Sequence, residues 1–182
     1  MKNALPFALG ITMALVPAGA AFADHHEAPT EPPHVDVIGL DGDPIGTAVF
    51  VQTPNGVMIS VAVEGLPEGE HGFHLHAMGI CDPAEGFKSA GGHFAPRNHQ
   101  HGLKLAEGPH AGDMPNQFVG ADGSLRAHLF NDRVTLGEGF NSLTDADGSA
   151  LIIHAGADDY VSQPTGAAGS RLACAVISPP KE

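Results

Sequence analysis

Basic residues, tryptophan and tyrosine are scarce in this chain of 182 residues. It has no tryptophan, one tyrosine, and 8 lysines and arginines against 21 aspartates and glutamates. The formal net charge is −13 with neutral histidines. A chain this acidic is repelled by the phosphates of nucleic acids and by anionic lipid surfaces, so we expect neither nucleic acid nor membrane as a partner of the mature protein.

Long apolar runs are absent except near the amino end. Lys2 supplies a positive charge, residues 4–16 are mostly apolar, and Ala-Phe-Ala at 21–23 matches a small-x-small cleavage site. These features predict a secretory signal peptide over residues 1–23; an amino-terminal anchor helix is the alternative, although the run is short for a bilayer span. Without this segment the chain keeps 7 basic and 21 acidic residues, a net charge of −14.

Cysteine is also rare, with only Cys81 and Cys174 in the chain. In an exported protein two cysteines form a natural disulfide pair, and two free thiols are the alternative. Neither cysteine belongs to a CxxC pair, which disfavours a role as metal ligand. We therefore predict a disulfide and a periplasmic or otherwise secreted location.

No segment after the signal peptide has helical periodicity over the length of a helix. Residues 24–34, which include His25 and His26, are polar and proline-rich and predict a flexible lead-in to one domain over 35–182. Short strands separated by Asp-Gly and Asn-Gly turns are predicted at residues 35–40, 46–52, 57–64, 72–76, 123–131, 150–154 and 171–177, with 131–141 as an ambiguous further strand. This pattern predicts an all-β antiparallel sandwich or small barrel of about eight strands.

Two glycine-rich loops, at residues 77–117 and 155–170, interrupt this pattern. A loop of about forty residues is long for a compact domain, so we expect the first loop to be functional and to need an ordering element. A metal ion and a disulfide would both order it.

Histidines are concentrated at one place in the chain, since 7 of the 12 fall between His71 and His110. His74 and His76 are two residues apart in a predicted strand, so both imidazoles project from the same face. The following loop carries His93, His99, His101 and His110 and closes with Asp113. Imidazoles with one carboxylate suit copper or zinc, and there are more candidate ligands than one tetrahedral site needs. The sequence therefore predicts two metal sites.

Six blocks together resemble the copper–zinc superoxide dismutase family, in its bacterial periplasmic branch. They are His-Gly-Phe-His-Leu-His at 71–76, Ser-Ala-Gly-Gly-His-Phe at 89–94, His-Gly at 101–102, His-Ala-Gly-Asp at 110–113, Ile-Ile-His at 152–154 and Gly-Ser-Arg-Leu-Ala-Cys at 169–174. The resemblance implies an eight-stranded Greek-key barrel with two long functional loops. It also implies an enzyme that converts superoxide to dioxygen and hydrogen peroxide with one copper and one zinc ion per subunit.

Carried onto this chain, the resemblance assigns a role to each block. The implied copper ligands are His74, His76, His93 and His154, and the implied zinc ligands are His93, His101, His110 and Asp113. His93 would bridge the two ions and return a proton to the substrate. Arg171 would attract the anion beside copper, and Asp158 would link His74 to His101.

Some alternatives stay open at this point. A metal-sequestering protein or copper chaperone on the same fold would bind the ions without the activity, and a zinc hydrolase would need an open zinc position. His71 is expected to be structural, and His34, His99, His128 and Asp159 to lie outside the sites. Lys88, Arg97 or Lys104 could steer the substrate together with Arg171. The sequence does not distinguish a monomer from a homodimer.

Overall fold

The computed structural model describes Met1 and residues 34–182. Apart from Met1 and His34, the signal peptide predicted over 1–23 and the lead-in over 24–34 with His25 and His26 lie outside these residues. Eight strands are present in the described part: β1 (His34–Gly39), β2 (Pro44–Thr53), β3 (Gly56–Val63), β4 (Gly69–His76), β5 (Asp113–Val119), β6 (Leu125–Asn131), β7 (Ser149–His154) and β8 (Arg171–Ser178). The described part also contains two short 3-10 helices, Pro83–Glu85 and Lys88–Ala90. No helix in it has the length and the apolar character needed to cross a bilayer.

All eight strands belong to one antiparallel sheet in the order β5-β4-β7-β8-β1-β2-β3-β6. The two end strands, β5 and β6, lie beside each other, so the sheet is nearly closed into a barrel. The chain neighbours β3 and β4 do not pair; β3 pairs with β6, and β4 lies between β5 and β7. This crossing is the Greek-key connection, and it confirms the predicted fold class.

The core fills the inside of the barrel with alternate residues from the strands. On β4, for example, Phe73 and Leu75 are fully buried in this core. The intervening His74 and His76 point to the outer face, because successive side chains of a strand alternate. They are nevertheless fully buried, since the long loops cover that face. The outer face of β4 thus carries two buried polar side chains beneath the long loops.

A second apolar cluster attaches the first long loop to the outer face of the barrel. Phe87 and Ala90 of this loop pack with Ala150 and Ile152 of β7. The predicted disulfide is also present, since Cys81 is bonded to Cys174 of β8 with a Cα–Cα distance of 5.8 Å. Apolar packing and a covalent bond therefore order this loop over β7 and β8.

One strand was missed by the sequence analysis, and one ambiguous segment is not a strand. β5 begins at Asp113, inside the stretch 77–117 that was interpreted as loop throughout. It carries Pro115 at a register irregularity opposite β4, and a proline is compatible with a strand at such a bulge. Residues 132–141 after β6 form no strand; they contain only an isolated bridge from Thr135 to Ser142.

Candidate metal centre

Two groups of potential metal ligands share one histidine. The first, the four-histidine cluster, consists of His74, His76, His93 and His154; the second, the aspartate cluster, consists of His93, His101, His110 and Asp113. Within each cluster the potential ligand atoms all lie within 4.8 Å of one another. All seven residues are buried except His110, whose side chain is 12% exposed.

Strand pairing positions the core of both clusters around β4. His74 is paired with Asp113 at the start of β5, and His76 forms an isolated bridge with His93 in the first loop. His154 is the last residue of the neighbouring strand β7. Residues far apart in the sequence therefore meet on the outer face of three adjacent strands.

The hydrogen bonds of the imidazoles leave their inward nitrogens without partners. His74 Nε2 donates to Asp158 Oδ2 at 2.8 Å, and His76 Nδ1 donates to the carbonyl of Gly91 at 2.9 Å. Among the described residues, six buried ring nitrogens have no hydrogen-bond partner: His74 Nδ1, His76 Nε2, His93 Nε2, His101 Nδ1, His110 Nδ1 and His154 Nε2. Buried polar atoms are almost always satisfied, and an outer hydrogen bond fixes the tautomer of a metal-ligating histidine. Converging lone pairs of this kind fit bound cations.

In the aspartate cluster, one carboxylate oxygen faces three imidazoles. Asp113 Oδ1 lies 2.8 Å from Nδ1 of His93, 3.1 Å from Nδ1 of His101 and 3.3 Å from Nδ1 of His110. Its Oδ2 accepts backbone hydrogen bonds from Gly102 and His110, both at 3.0 Å. Burial opposes ionisation of Asp113, but the close imidazoles of His101, His110 and His93 and the backbone N–H groups outweigh it and hold its pKa far below the ordinary value. This carboxylate is therefore anionic at neutral pH.

Burial keeps three imidazoles of the four-histidine cluster neutral, those of His76, His93 and His154. Desolvation lowers the pKa of His93 to about 4 and that of His154 to about 3, and it lowers the pKa of His76 well below 6.5. Neighbouring imidazoles add to this effect in each case. Neutral imidazoles are the form that binds metal ions, so these side chains are in the ligating state at neutral pH.

Asp158 joins the two clusters from the second long loop. It is buried, and it accepts hydrogen bonds from Nε2 of His74 at 2.8 Å and from Nε2 of His101 at 3.0 Å. Burial opposes protonation of His101, but the carboxylates of Asp113 and Asp158 outweigh it and raise its pKa to about 9. The adjacent Asp159 is exposed and instead caps the turn at Ser162.

Arg171 lies at the start of β8, paired with His154. Its guanidinium donates to the carbonyl of Phe87 and, at 2.5 Å, to the carbonyl of Gly91. Gly91 also accepts from Nδ1 of His76, so one carbonyl orients both the arginine and a histidine of the four-histidine cluster. The first loop thereby holds a partly exposed positive charge beside this cluster.

Comparison with known proteins gives the site its context. Residues 45–177 match the family model described as "Copper/zinc superoxide dismutase (SODC)". The chain belongs to this family. It is 48% identical over 146 residues to Superoxide dismutase [Cu-Zn] 1 of Aquifex aeolicus, covering 79% of this chain and 86% of that one. It is 39% identical over 140 residues to Superoxide dismutase [Cu-Zn] of Caulobacter vibrioides, covering 75% of this chain and 80% of that one.

Solved structures agree with this assignment to the copper/zinc superoxide dismutase family. A SOD-like protein from Bacillus subtilis is 37% identical and superimposes with a TM-score of 0.74, covering 79% of this chain and 97% of the other. The Cu/Zn superoxide dismutase from Brucella abortus is 29% identical with a TM-score of 0.64, covering 80% and 98%.

The remaining histidines and basic residues lie apart from the two clusters. His71 is buried beneath β7, with Nδ1 2.7 Å from the carbonyl of His154 and Nε2 2.9 Å from that of Pro67. Lys104 donates to the carbonyl of Asp159 at 3.2 Å, across the two loops. The other side chains of this set are exposed: His34, Lys88, Arg97, His99 and His128.

Sequence analysis of this superoxide dismutase fold missed the residues that position the ligands through the backbone. Asn116 of β5 holds Asp158 by two hydrogen bonds, and Gly91 accepts from both His76 and Arg171. An asparagine after a proline and a glycine in a long loop both look like turn residues, so no local signal separated them from ordinary loop positions.

Proposed function

We propose that the four-histidine cluster holds copper and that the aspartate cluster holds zinc, with His93 shared between them. The chain is a superoxide dismutase, which converts two superoxide anions and two protons to dioxygen and hydrogen peroxide. The observation that carries the residue assignment is the orientation of His93. Its Nδ1 faces Asp113 at 2.8 Å, whereas its Nε2 is one of the six buried nitrogens without a partner among the described residues.

The donor sets support this division between the two metals. Three imidazoles and one carboxylate make a closed tetrahedral set that suits a structural zinc ion. Four imidazoles without a carboxylate suit copper in both oxidation states. When bound, copper would supply the one-electron redox chemistry, and zinc would keep the shared imidazole oriented.

His93 is the residue proposed to deliver a proton. Forming hydrogen peroxide from superoxide requires protons at a site that excludes most solvent, and His93 is only 7% exposed. Its Nδ1 is fixed by the aspartate cluster, so Nε2 is the atom that would hold and release the proton.

Arg171 is proposed to bind and orient the substrate anion. A guanidinium keeps its charge at all physiological pH values and offers a planar set of donors to a small anion. In a chain with a formal net charge of −13, a positive charge beside the cluster focuses the local field where the average field repels superoxide. The backbone carbonyls of the first loop hold the guanidinium in place.

Metal analysis combined with superoxide decay tests this proposal. The purified protein is expected to contain copper and zinc in equal amounts, to lose activity when copper is removed, and to regain it with copper but not with zinc alone. Two ions bound without any acceleration of superoxide decay would favour the metal-sequestering alternative. His93→Gln is expected to abolish the proton delivery while leaving three imidazoles to bind copper.

A charge reversal tests the role of Arg171 separately. Arg171→Glu is expected to lower the rate by on the order of tenfold to a thousandfold and to remove the decrease in rate with added salt, because the attractive local field is lost. Arg126→Glu is the matched control, since Arg126 is an exposed arginine on β6, away from both clusters. Equal effects of the two reversals would assign the steering to overall charge and not to Arg171.

We also propose that the chain is exported and acts in the periplasm. Bacterial copper/zinc superoxide dismutases are typically periplasmic, and the Cys81–Cys174 disulfide fits an oxidising compartment. Cleavage after Ala23 would leave Asp24 as the first residue, which amino-terminal sequencing of the protein from a periplasmic extract would detect. A mature chain that still began at Met1 would contradict the signal peptide.

A further inference from the structure

An open cleft lies on the outer side of the aspartate cluster, away from the four-histidine cluster. Its volume is about 300 Å³, at the lower end of the range of small-molecule sites. Three loop segments form its walls: residues 95–99 and 109–111 from the first long loop, and residues 132–141 from the segment between β6 and β7. The proposed function assigns no role to the space inside this cleft.

The charge of the cleft opposes the charge of the chain. Arg97 and Arg133 line it, against a single acidic residue, Asp132. These are two of only four arginines in a protein with a formal net charge of −13. Two guanidinium groups converging on one concave surface favour a small anion, because each can bind a carboxylate through paired hydrogen bonds.

Arg133 lines the cleft with a guanidinium whose N–H groups are only partly used within the protein. Its Nη2 donates to the backbone carbonyl of Asp113 at 2.6 Å, which fixes the guanidinium plane. Nη1 lies 3.7 Å from the carboxylate of Asp132, beyond hydrogen-bonding distance. Its Nε is buried and has no hydrogen-bond partner among the described residues. The guanidinium is therefore held in a fixed position, and not all of its N–H groups donate hydrogen bonds within the described protein.

His110 adds a polar group to the wall. Its Nδ1 faces Asp113 within the aspartate cluster, so Nε2 is directed away from that cluster. The exposed His99 also lines the cleft.

The remaining wall is apolar and flat. The Arg97 guanidinium lies 4.4 Å from the centroid of the Phe140 ring, and Phe140 is 61% exposed. Pro96, Pro109 and Ala111 complete this side. An exposed aromatic ring combined with a stacked guanidinium offers a surface to a second planar ring.

We infer that this cleft binds a small aromatic carboxylate. The carboxylate would accept hydrogen bonds from Arg97 and Arg133, and the ring would pack against Phe140 and the prolines. Inorganic anions would gain only the first of these contacts, and neutral aromatic molecules only the second. The cleft shares only His110 with the aspartate cluster, and neither proposed contact of the carboxylate involves that residue, so the inference holds or fails independently of the proposed function.

Titration of the metal-loaded protein with 4-fluorobenzoate, followed by fluorine NMR, tests the inference. We expect saturable binding that Arg97→Gln weakens by about tenfold, the effect of losing a charge-assisted hydrogen bond. Arg126→Gln, which makes the same charge change on β6, is expected to leave the affinity unchanged. The neutral 4-fluorobenzamide is expected to bind at least about tenfold more weakly than 4-fluorobenzoate.

Other outcomes would overturn the inference. Arg171 is a second place for an anion, so binding that Arg171→Gln abolishes and Arg97→Gln leaves intact would move the ligand to the metal centre. Inorganic phosphate displacing 4-fluorobenzoate at equal concentration would remove the aromatic part of the assignment. Absence of saturable binding would reject the site altogether. Arg97 is exposed, so an unchanged thermal unfolding midpoint of Arg97→Gln would show that the variant is folded.

Discussion

Asn116 and Asp158 hold each other through two reciprocal hydrogen bonds. The side-chain oxygen of Asn116 accepts from the backbone N–H of Asp158 at 2.8 Å, and its Nδ2 donates to the backbone carbonyl of Asp158 at 2.9 Å. The Asp158 carboxylate in turn accepts from His74 and His101. Strand β5 thereby determines where the second loop places the carboxylate that links the two clusters.

Loss of this carboxylate should weaken metal binding. Asp158→Asn keeps the size of the side chain, but its NH2 group cannot accept a hydrogen bond from one of the two imidazoles. We expect the affinity for zinc or copper to fall by about 10- to 100-fold, the usual effect of removing a partner that orients a metal-ligating histidine. Metal-buffered titration measures this change.

Asn116→Ala tests the positioning role, because it leaves the Asp158 carboxylate in the chain. A smaller loss of metal affinity than in Asp158→Asn is expected. Asp159→Asn is the control, since the Asp159 side chain is exposed and does not contact either cluster. A loss of affinity in Asp159→Asn as large as in Asp158→Asn would contradict this account.

Gly166 is required beside Asp158 for steric reasons. A Cβ at this position would lie 1.7 Å from Asp158 Oδ1 and 2.7 Å from His101 Nε2, and the residue has φ of +66°. Gly166→Ala should therefore displace the linking carboxylate and reduce metal affinity, in addition to a left-handed backbone penalty of about 1–2 kcal/mol.

Gly65→Ala provides the matched control for Gly166. Gly65 has φ of +80°, but a Cβ there would meet nothing within 4 Å. It should show the backbone penalty in denaturant unfolding while keeping the metal affinity of the parent protein. If Gly166→Ala also kept full metal affinity, the second loop could move away from the added Cβ without weakening metal binding, which would contradict the steric requirement.

The Cys81–Cys174 bond should contribute strongly to stability. It closes a loop with a sequence separation of 93 residues, for which the chain-entropy estimate is roughly 4–5 kcal/mol. The double variant Cys81→Ala, Cys174→Ala should lose a free energy of unfolding of this size in guanidinium titrations. Reduction of the parent protein should have a similar effect. A loss below about 1 kcal/mol would mean that the apolar packing of Phe87 already orders the loop.

The metal-free protein should be most stable near pH 6.5. His93 and His154 have pKa values of about 4 and about 3 in the folded state, below the ordinary 6.5, so the folded state binds these protons less tightly than the unfolded state. Acidification from pH 6.5 toward 4 therefore destabilises the fold. His101, with a pKa of about 9, contributes stability that is complete below pH 6.5 and is lost as the pH rises through 9.

Urea titrations of the metal-free protein across this pH range would show the maximum. The metal-loaded protein is the comparison, because bound ions take the place of protons on these nitrogens and should flatten the profile between pH 6.5 and 9. A metal-free profile that rose steadily from pH 6.5 to 9 would contradict the proposed state of His101.

Most strands could be predicted from the sequence, because the pattern of apolar residues along a strand is visible within the segment itself. Alternating apolar residues on β3 and β6 and short apolar runs on β7 and β8 need no tertiary information. β5 was different: Pro115 and Asn116 interrupt its alternation, and only pairing with β4 across a bulge makes the segment a strand. The segment 132–141, which follows β6, contains apolar residues but pairs with no strand in the described structure.

The amino-acid sequence by itself determined the acidic charge, the cysteine pair and the all-β class. It also determined the spacing that puts His74 and His76 on one strand face. These properties follow from composition and local periodicity. Only the tertiary structure decided which ring nitrogens face inward, that Asn116 and Gly91 position Asp158 and Arg171, and that two arginines meet in a cleft outside the metal centre. Those relationships join segments dozens of residues apart. They arise when the Greek-key connections and the disulfide bring both loops onto the outer face of the barrel.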